Sequence, residues 1–112
     1  SQGRSRMEYS NLDDMFKGWF VGDFSPTALS TSACEVAVKR YKAGDKEGRH
    51  FHKIGTEVTV ILFGSASMNG VVLSEGQIVT INPGESTDFM AITDVTTVVV
   101  KTPSVVDDKY NS

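Results

Sequence analysis

Gly48-Arg49-His50-Phe51-His52-Lys53-Ile54-Gly55-Thr56-Glu57, followed by an apolar run over residues 58–63 and then Gly64, carries most of what this chain says about its architecture. Its two histidines are the only two in the chain. Residues two apart on a strand point the same way, so His50 and His52 can present their imidazoles together. Glu57 follows with the wrong parity for an uninterrupted strand, but Ile54-Gly55-Thr56 supplies a bend that can reset the direction and carry the carboxylate inward. Two imidazoles and one carboxylate facing a common cavity form a 2-His-1-carboxylate set. Such a set holds iron, manganese, nickel or zinc and leaves positions open for water or substrate. On spacing alone, two ordinary surface histidines on a solvated strand remain the alternative.

The flanking sequence is β-prone almost throughout. In residues 58–63, Val58, Val60 and Leu62 fall on one face and Thr59, Ile61 and Phe63 on the other, so a strand buried on both sides is expected. Upstream, residues 18–24 are aromatic and bounded by glycine and Ser25-Pro26, and residues 35–41 place valine at alternate positions before the turn residues Lys42-Ala43-Gly44-Asp45. Downstream, short strands are expected over residues 66–68, 71–73, 78–82 and 95–101. Asn69-Gly70 is a strong hairpin signal, because both central residues of a type I′ turn need positive φ. Many short strands, almost no helix and glycine-rich turns predict an all-β sandwich or barrel. Residues 7–17 read as a short helix or arm that Asn11, Asp13 or Asp14 could cap, residues 18–102 as the barrel, and residues 103–112 as a frayed C-terminal tail. Residues 1–6 precede an internal Met7 and read as an expression-vector remnant, so the native start is expected at Met7.

With 112 residues the chain has material for one domain and one core. A net charge of -3, with acids and bases interspersed, lacks the basic footprint of a nucleic-acid binder. No apolar run suits a signal peptide or a membrane span, and the single cysteine, Cys34, has no partner for a disulfide and no cationic neighbour to activate it. A soluble protein of the reducing cytoplasm, with a structural Cys34, is the expectation. Trp19 and Phe20 could line a pocket, but the core is the expectation for aromatic residues in a β-rich chain.

The stretch resembles the first motif of the cupin family, single-domain proteins of the cupin 2 type in the double-stranded β-helix superfamily. That motif runs glycine, five residues, His-x-His, three or four residues, Glu, six residues, Gly. Gly44, His50, His52, Glu57 and Gly64 stand in this register. The second cupin motif is Gly, five residues, Pro-x-Gly, two residues, His, three residues, Asn. Here Gly76 and Gly84 keep their places, but Asn82 stands at the proline, Thr87 at the histidine and Ala91 at the asparagine. The resemblance covers residues 35–101 and implies a jelly-roll β-barrel, with His50, His52 and Glu57 as ligands of a divalent first-row transition metal. The fourth ligand is missing from its place. Thr87 and the adjacent Asp88 are candidate additional ligands, Asp88 only if a bulge re-aims it, since otherwise it faces the opposite side.

Three functions follow. The first is a metal-binding cupin that binds or transforms a small polar molecule in the barrel, with Arg40, Tyr41 or Arg49 near the mouth to orient an anionic substrate. The second is a metal-free ketoisomerase, because His50-Phe51-His52-Lys53 is similar to the His-x-His-Lys segment of cupins acting on nucleotide-linked deoxysugars. In those enzymes a histidine moves protons beside a carbonyl. They tend to carry glutamine where Glu57 stands, which favours the metal. The third is a non-catalytic binding or structural module. A homodimer is expected from the doubly apolar strand and the family's habit, and sedimentation as a monomer would remove it.

Overall fold

The structure, a computed structural model, describes residues 6–112. Residues 1–5 of the expected vector remnant lie outside it. Among the described residues, eleven strands form two sheets, in agreement with the predicted all-β jelly-roll barrel. The six-stranded sheet runs β2 (Leu29–Ser30), β1 (Trp19–Gly22), β3 (Glu35–Tyr41), β10 (Val95–Thr102), β5 (Thr56–Phe63) and β8 (Ile78–Ile81). The five-stranded sheet runs β11 (Tyr110–Asn111), β4 (Lys46–Phe51), β9 (Thr87–Ala91), β6 (Ala66–Met68) and β7 (Val71–Leu73). No helix among the described residues is long and apolar enough to cross a membrane.

At the centre of the larger sheet, β10 is β-branched at seven of its eight positions, which suits a pleated surface packed on both flanks. Val95, Thr97, Val99 and Lys101 are buried on its inner face, and Thr96, Val98 and Val100 are only partly covered on the outer. Its antiparallel pairing with β3 and β5 lays out three inner rows: Glu35, Lys101 and Glu57; Ala37, Val99 and Thr59; Lys39, Thr97 and Ile61. The apolar core lies at the far end of these rows, where Ile61 and Val95 pack with Ala66, Met68, Leu73, Ile81, Phe89 and Ala91. Polar inner residues thus collect at one end of the barrel and apolar ones at the other.

Two local expectations change, for the strand over residues 58–63 and for the tail. The strand over residues 58–63 is not buried on both sides by this chain: Thr59 and Ile61 face in, Val58 and Val60 are half-buried outside, and Leu62 is exposed. Phe63 also turns outward, because a bulge between Ile61 and Phe63 puts it opposite Thr96, an outward residue. Residues 7–17 hold a short 3₁₀ helix, Leu12–Asp14, capped by the Asn11 side chain, which accepts from the Asp13 amide, and Phe16 forms an isolated bridge with Trp19. The expected frayed tail is instead tied down. β11 pairs with β4, the Tyr110 ring stacks on Phe51 at 5.5 Å, and the Lys53 ammonium lies 4.2 Å from the Tyr110 ring centroid.

Local turn chemistry is as expected at Asn69-Gly70, where φ is 51° and 77°, and the hairpin joins β6 to β7.

Candidate metal and ligand site

A cavity of about 700 Å³ opens between the two sheets at the polar end of the barrel, and His50, His52, Glu57 and Thr87 all line it. His50 lies on β4 and His52 just beyond its end. A bulge between Glu47 and His50 brings His50 directly opposite Thr87 on β9. Glu57 reaches the cavity from β5, on the other sheet. The two sheets, rather than one strand, therefore bring the imidazoles and the carboxylate together, which resolves the parity mismatch in the sequence.

Each imidazole is held by its Nδ1 against a backbone carbonyl, His50 by Gly48 at 2.8 Å and His52 by Asp108. An Nδ1–H that donates to a carbonyl leaves Nε2 as a lone pair, the orientation seen in metal-ligating histidines. His52 Nε2 is buried and has no hydrogen-bond partner. Its nearest charged neighbour is the Glu57 carboxylate, with Oε1 3.5 Å away. That carboxylate raises the His52 pKa above its ordinary value, against the opposing effect of burial. Burial by itself would raise Glu57, but His52, Lys101 and His50 outweigh it and hold the carboxyl below its usual range.

The donor types suit a first-row divalent ion, and so does the gap between His52 and Glu57. A gap of 3.5 Å is wide for a hydrogen bond. Two ligands each about 2.1 Å from one ion, at an angle near 110°, stand roughly 3.4 Å apart. An imidazole ligating through Nε2 has its centroid roughly 3 Å from the ion. The His50 and His52 centroids, 5.4 Å apart, are therefore close enough to share one. As the side chains stand, no three His, Cys, Asp or Glu groups among the described residues converge on one point. His52 and Glu57 meet at 3.5 Å, and the His50 ring stands edge-on to that of His52.

The additional candidates divide. Thr87 lines the cavity, but its hydroxyl donates to the Asp88 carbonyl at 2.9 Å. Asp88 is exposed on the outer side of β9 and accepts from the Asn69 amide at 2.9 Å, so β9 carries no bulge that would bring it inward. Asp88 is corrected as a ligand candidate. Tyr41 does face the cavity, its hydroxyl donating to Glu47 at 2.6 Å, and burial followed by this contact pushes its pKa well up. Arg40 has the opposite parity and is exposed on the outer face of β3. Arg49 is also exposed, and its guanidinium donates to Asn69 Oδ1 at 3.0 Å. Neither arginine lines the cavity. Cys34 is half-buried and does not line it either.

Several cavity residues escaped the sequence reading. Trp19, expected in the core, lines the cavity with the ammonium groups of Lys39 and Lys101 each 5.8 Å from its ring centroid. Lys101 pairs with Glu35 at 3.1 Å, and Ser104 also donates to Glu35 at 2.8 Å. Strand parity was the available signal: Glu35, Ala37, Lys39 and Tyr41 share one face of β3, which excludes Arg40 and includes Lys39. Asp108 carried no local signal, since its partners lie more than fifty residues away.

No protein-family profile and no curated protein matches the chain. Solved structures do. KdgF from Halomonas sp. superposes with a TM-score of 0.62 at 16% identity over 69% of this chain and 74% of that one. An uncharacterised conserved protein with a double-stranded β-helix domain from Klebsiella pneumoniae superposes with a TM-score of 0.63 at 22% identity over 93% and 89%. Oxalate decarboxylase from Bacillus subtilis gives 0.64 at 17% identity over 71% of this chain, which spans only 24% of that protein. The fold is the double-stranded β-helix of the cupins.

Proposed function

We propose that this cupin barrel binds one divalent first-row transition metal through His50, His52 and Glu57 and presents a small polar molecule to it. The observation that carries the reading is the buried, unpartnered Nε2 of His52 facing Glu57 Oε1 across 3.5 Å. A buried polar atom without a partner costs free energy, and an ion between the two donors would satisfy both. Bound there, the ion would act as a Lewis acid on a carbonyl or hydroxyl oxygen of the ligand, or lower the pKa of a bound water. Thr87, opposite His50, donates its hydroxyl proton to the Asp88 carbonyl and keeps its oxygen lone pairs, so it offers the ion at most a weak neutral oxygen where the cupin motif has an imidazole. The site is therefore open on the β9 side. Manganese centres occur in Bacillus subtilis oxalate decarboxylase, a protein of the same fold, so a transition metal is consistent with the architecture.

The test is metal content. After dialysis against Mn²⁺, Fe²⁺, Ni²⁺ or Zn²⁺ in turn, elemental analysis should find near-stoichiometric ion in the wild type and almost none in a His50→Ala/His52→Ala variant. Near-zero metal in both would sink the reading. Glu57→Gln keeps the shape but removes the anionic ligand. It should weaken metal binding by at least about 100-fold, since even residues that only support a ligand contribute 10–100-fold.

A second reading keeps the same pair without metal. The raised pKa of His52 beside Glu57 suits a proton shuttle at a sugar carbonyl. One cupin of this fold, from Silicibacter pomeroyi, is described as a sugar phosphate isomerase, at 22% identity and a TM-score of 0.61. Proton exchange at a bound ketose that survives chelator treatment but fails in His52→Ala would favour this reading over the metal.

A further inference from the structure

Away from the histidines, the cavity contains a cation without an ion pair and a buried hydroxyl without a hydrogen-bond partner among the described residues. Lys39 points inward from β3 and is half-buried, and among the described residues it forms no ion pair. Burial lowers its pKa. Directly across the strand pair is Thr97, only 1% exposed, whose Oγ1 is buried without a hydrogen-bond partner. Both line the same cavity, and the Trp19 ring lies beside the Lys39 ammonium. The buried acids, by contrast, all have partners. Glu35 is held by Lys101 and Ser104, Asp108 by three backbone amides, and Glu57 accepts from the Thr59 hydroxyl, while the half-buried Glu47 accepts from Tyr41. An ammonium without an ion pair and, on the residue opposite it in the strand register, a buried hydroxyl without a partner are donors that an oxyanion can take.

We propose that Lys39 and Thr97, with the Trp19 face beside them, form a subsite for a carboxylate on the small molecule whose other end reaches His50, His52 and Glu57. The assignment rests on the reading of those three residues as the business end of the cavity, but the subsite is built from different residues. Lys39 stands in the field of the Glu47 carboxylate, which lines the same cavity, so the subsite offers at most one positive charge and suits a carboxylate better than a phosphate dianion. At the rim, the exposed Lys17 and Lys109 are balanced in number by the exposed Asp23 and Asp107, so selection for an anion rests on Lys39 and Thr97. The ligand class is thus a small hydroxylated carboxylic acid: oxygen donors for the metal end, an apolar face for Trp19, and a carboxylate for Lys39.

Trp19 is the only tryptophan, so its fluorescence reports this subsite. Glycolate, lactate and gluconate are titrated at constant ionic strength into metal-loaded and chelator-treated protein, with sorbitol and inorganic phosphate alongside. At least one carboxylate should give a saturable change that sorbitol does not. Lys39→Met, which keeps the stem and removes the charge, should weaken it by about tenfold or more, whereas Lys39→Arg should stay within about threefold. Thr97→Val should weaken it by about threefold to fivefold while raising Tm, because it deletes a buried hydroxyl that is unsatisfied until ligand binds. A purely structural threonine would not give that opposite pair of effects. The subsite is overturned if no carboxylate binds, if Lys39→Met binds as tightly as wild type, or if phosphate binds more tightly than every carboxylate. Elemental analysis of the same samples separates the two readings. Full metal occupancy with no carboxylate response overturns the subsite alone, and a Lys39-dependent response in protein that never retains metal overturns the metal alone.

Discussion

Asp108→Ala is expected to destabilise the fold by on the order of 4 kcal/mol, from the loss of a buried acceptor shared by three amides. Asp108 is 3% exposed, and its carboxylate caps three consecutive backbone amides: Lys53 at 2.9 Å, Ile54 at 3.1 Å and Gly55 at 2.8 Å. These amides turn the bend between His52 and Glu57, and they have no strand to pair with. The Asp108 carbonyl also accepts from His52 Nδ1. One tail residue therefore holds both the bend and a candidate ligand. Alanine would strand the amides and free the tail, so urea unfolding should show the loss in stability and metal affinity should fall with it. A variant within about 1 kcal/mol of wild type, the usual range for surface changes, would refute this role.

The same contacts predict an acid-side pH dependence. Burial alone would raise the Asp108 pKa, but the amides of Gly55, Lys53 and Ile54 outweigh it and depress the folded value below 3.8. A depressed folded pKa means that the carboxylate's contribution is complete above the unfolded value and is lost as pH falls through the folded one. Asp108→Asn should therefore remove part of the stability loss that the wild type shows below the unfolded value, and unfolding followed across that acid range would show it.

Gly64→Ala should be nearly as damaging, at about 3 kcal/mol or more, because strained φ and steric overlap add. Gly64 closes the stretch that begins with the histidines, at φ 82°. A Cβ there would lie 2.0 Å from the Asp94 carbonyl oxygen and 2.6 Å from Thr93 Oγ1. The hydroxyl can swing away, but the carbonyl belongs to the backbone leading into β10, which cannot retreat without disturbing the central strand. Gly70 provides the control. Its φ is similar, 77°, but nothing lies within 4 Å of where a methyl would stand, so Gly70→Ala should cost only about 1 kcal/mol, the conformational part alone. Thermal denaturation of the two variants side by side checks the difference, and equal losses would show that the Asp94 contact contributes nothing.

Much of this architecture was legible because its causes are local. Side chains alternate with a period of two, so the faces of β3 and β10 can be read from a few residues. The positive φ at Asn69-Gly70 is a property of those two residues. The spacing from His50 to Gly64 singled out His50, His52 and Glu57 before any neighbour was known. Arg40 and Arg49 were misjudged where charge was weighed ahead of parity, whereas Asp88 lies on the outer side, as its parity implies in the absence of a bulge. Other features depend on residues far apart in the chain. The bulges in β4 and β5 redirect His50 and Phe63 because the partner strand, not the bulged one, sets the register. Trp19 faces a cavity rather than a core because β3 and β10 bring Lys39 and Lys101 to its ring. Asp108 reaches the bend at residues 53–55 only once the tail has folded back. A side chain's face along a strand is fixed by its neighbours' backbone, but its partner is fixed by packing between sheets, and packing is not written in any one stretch.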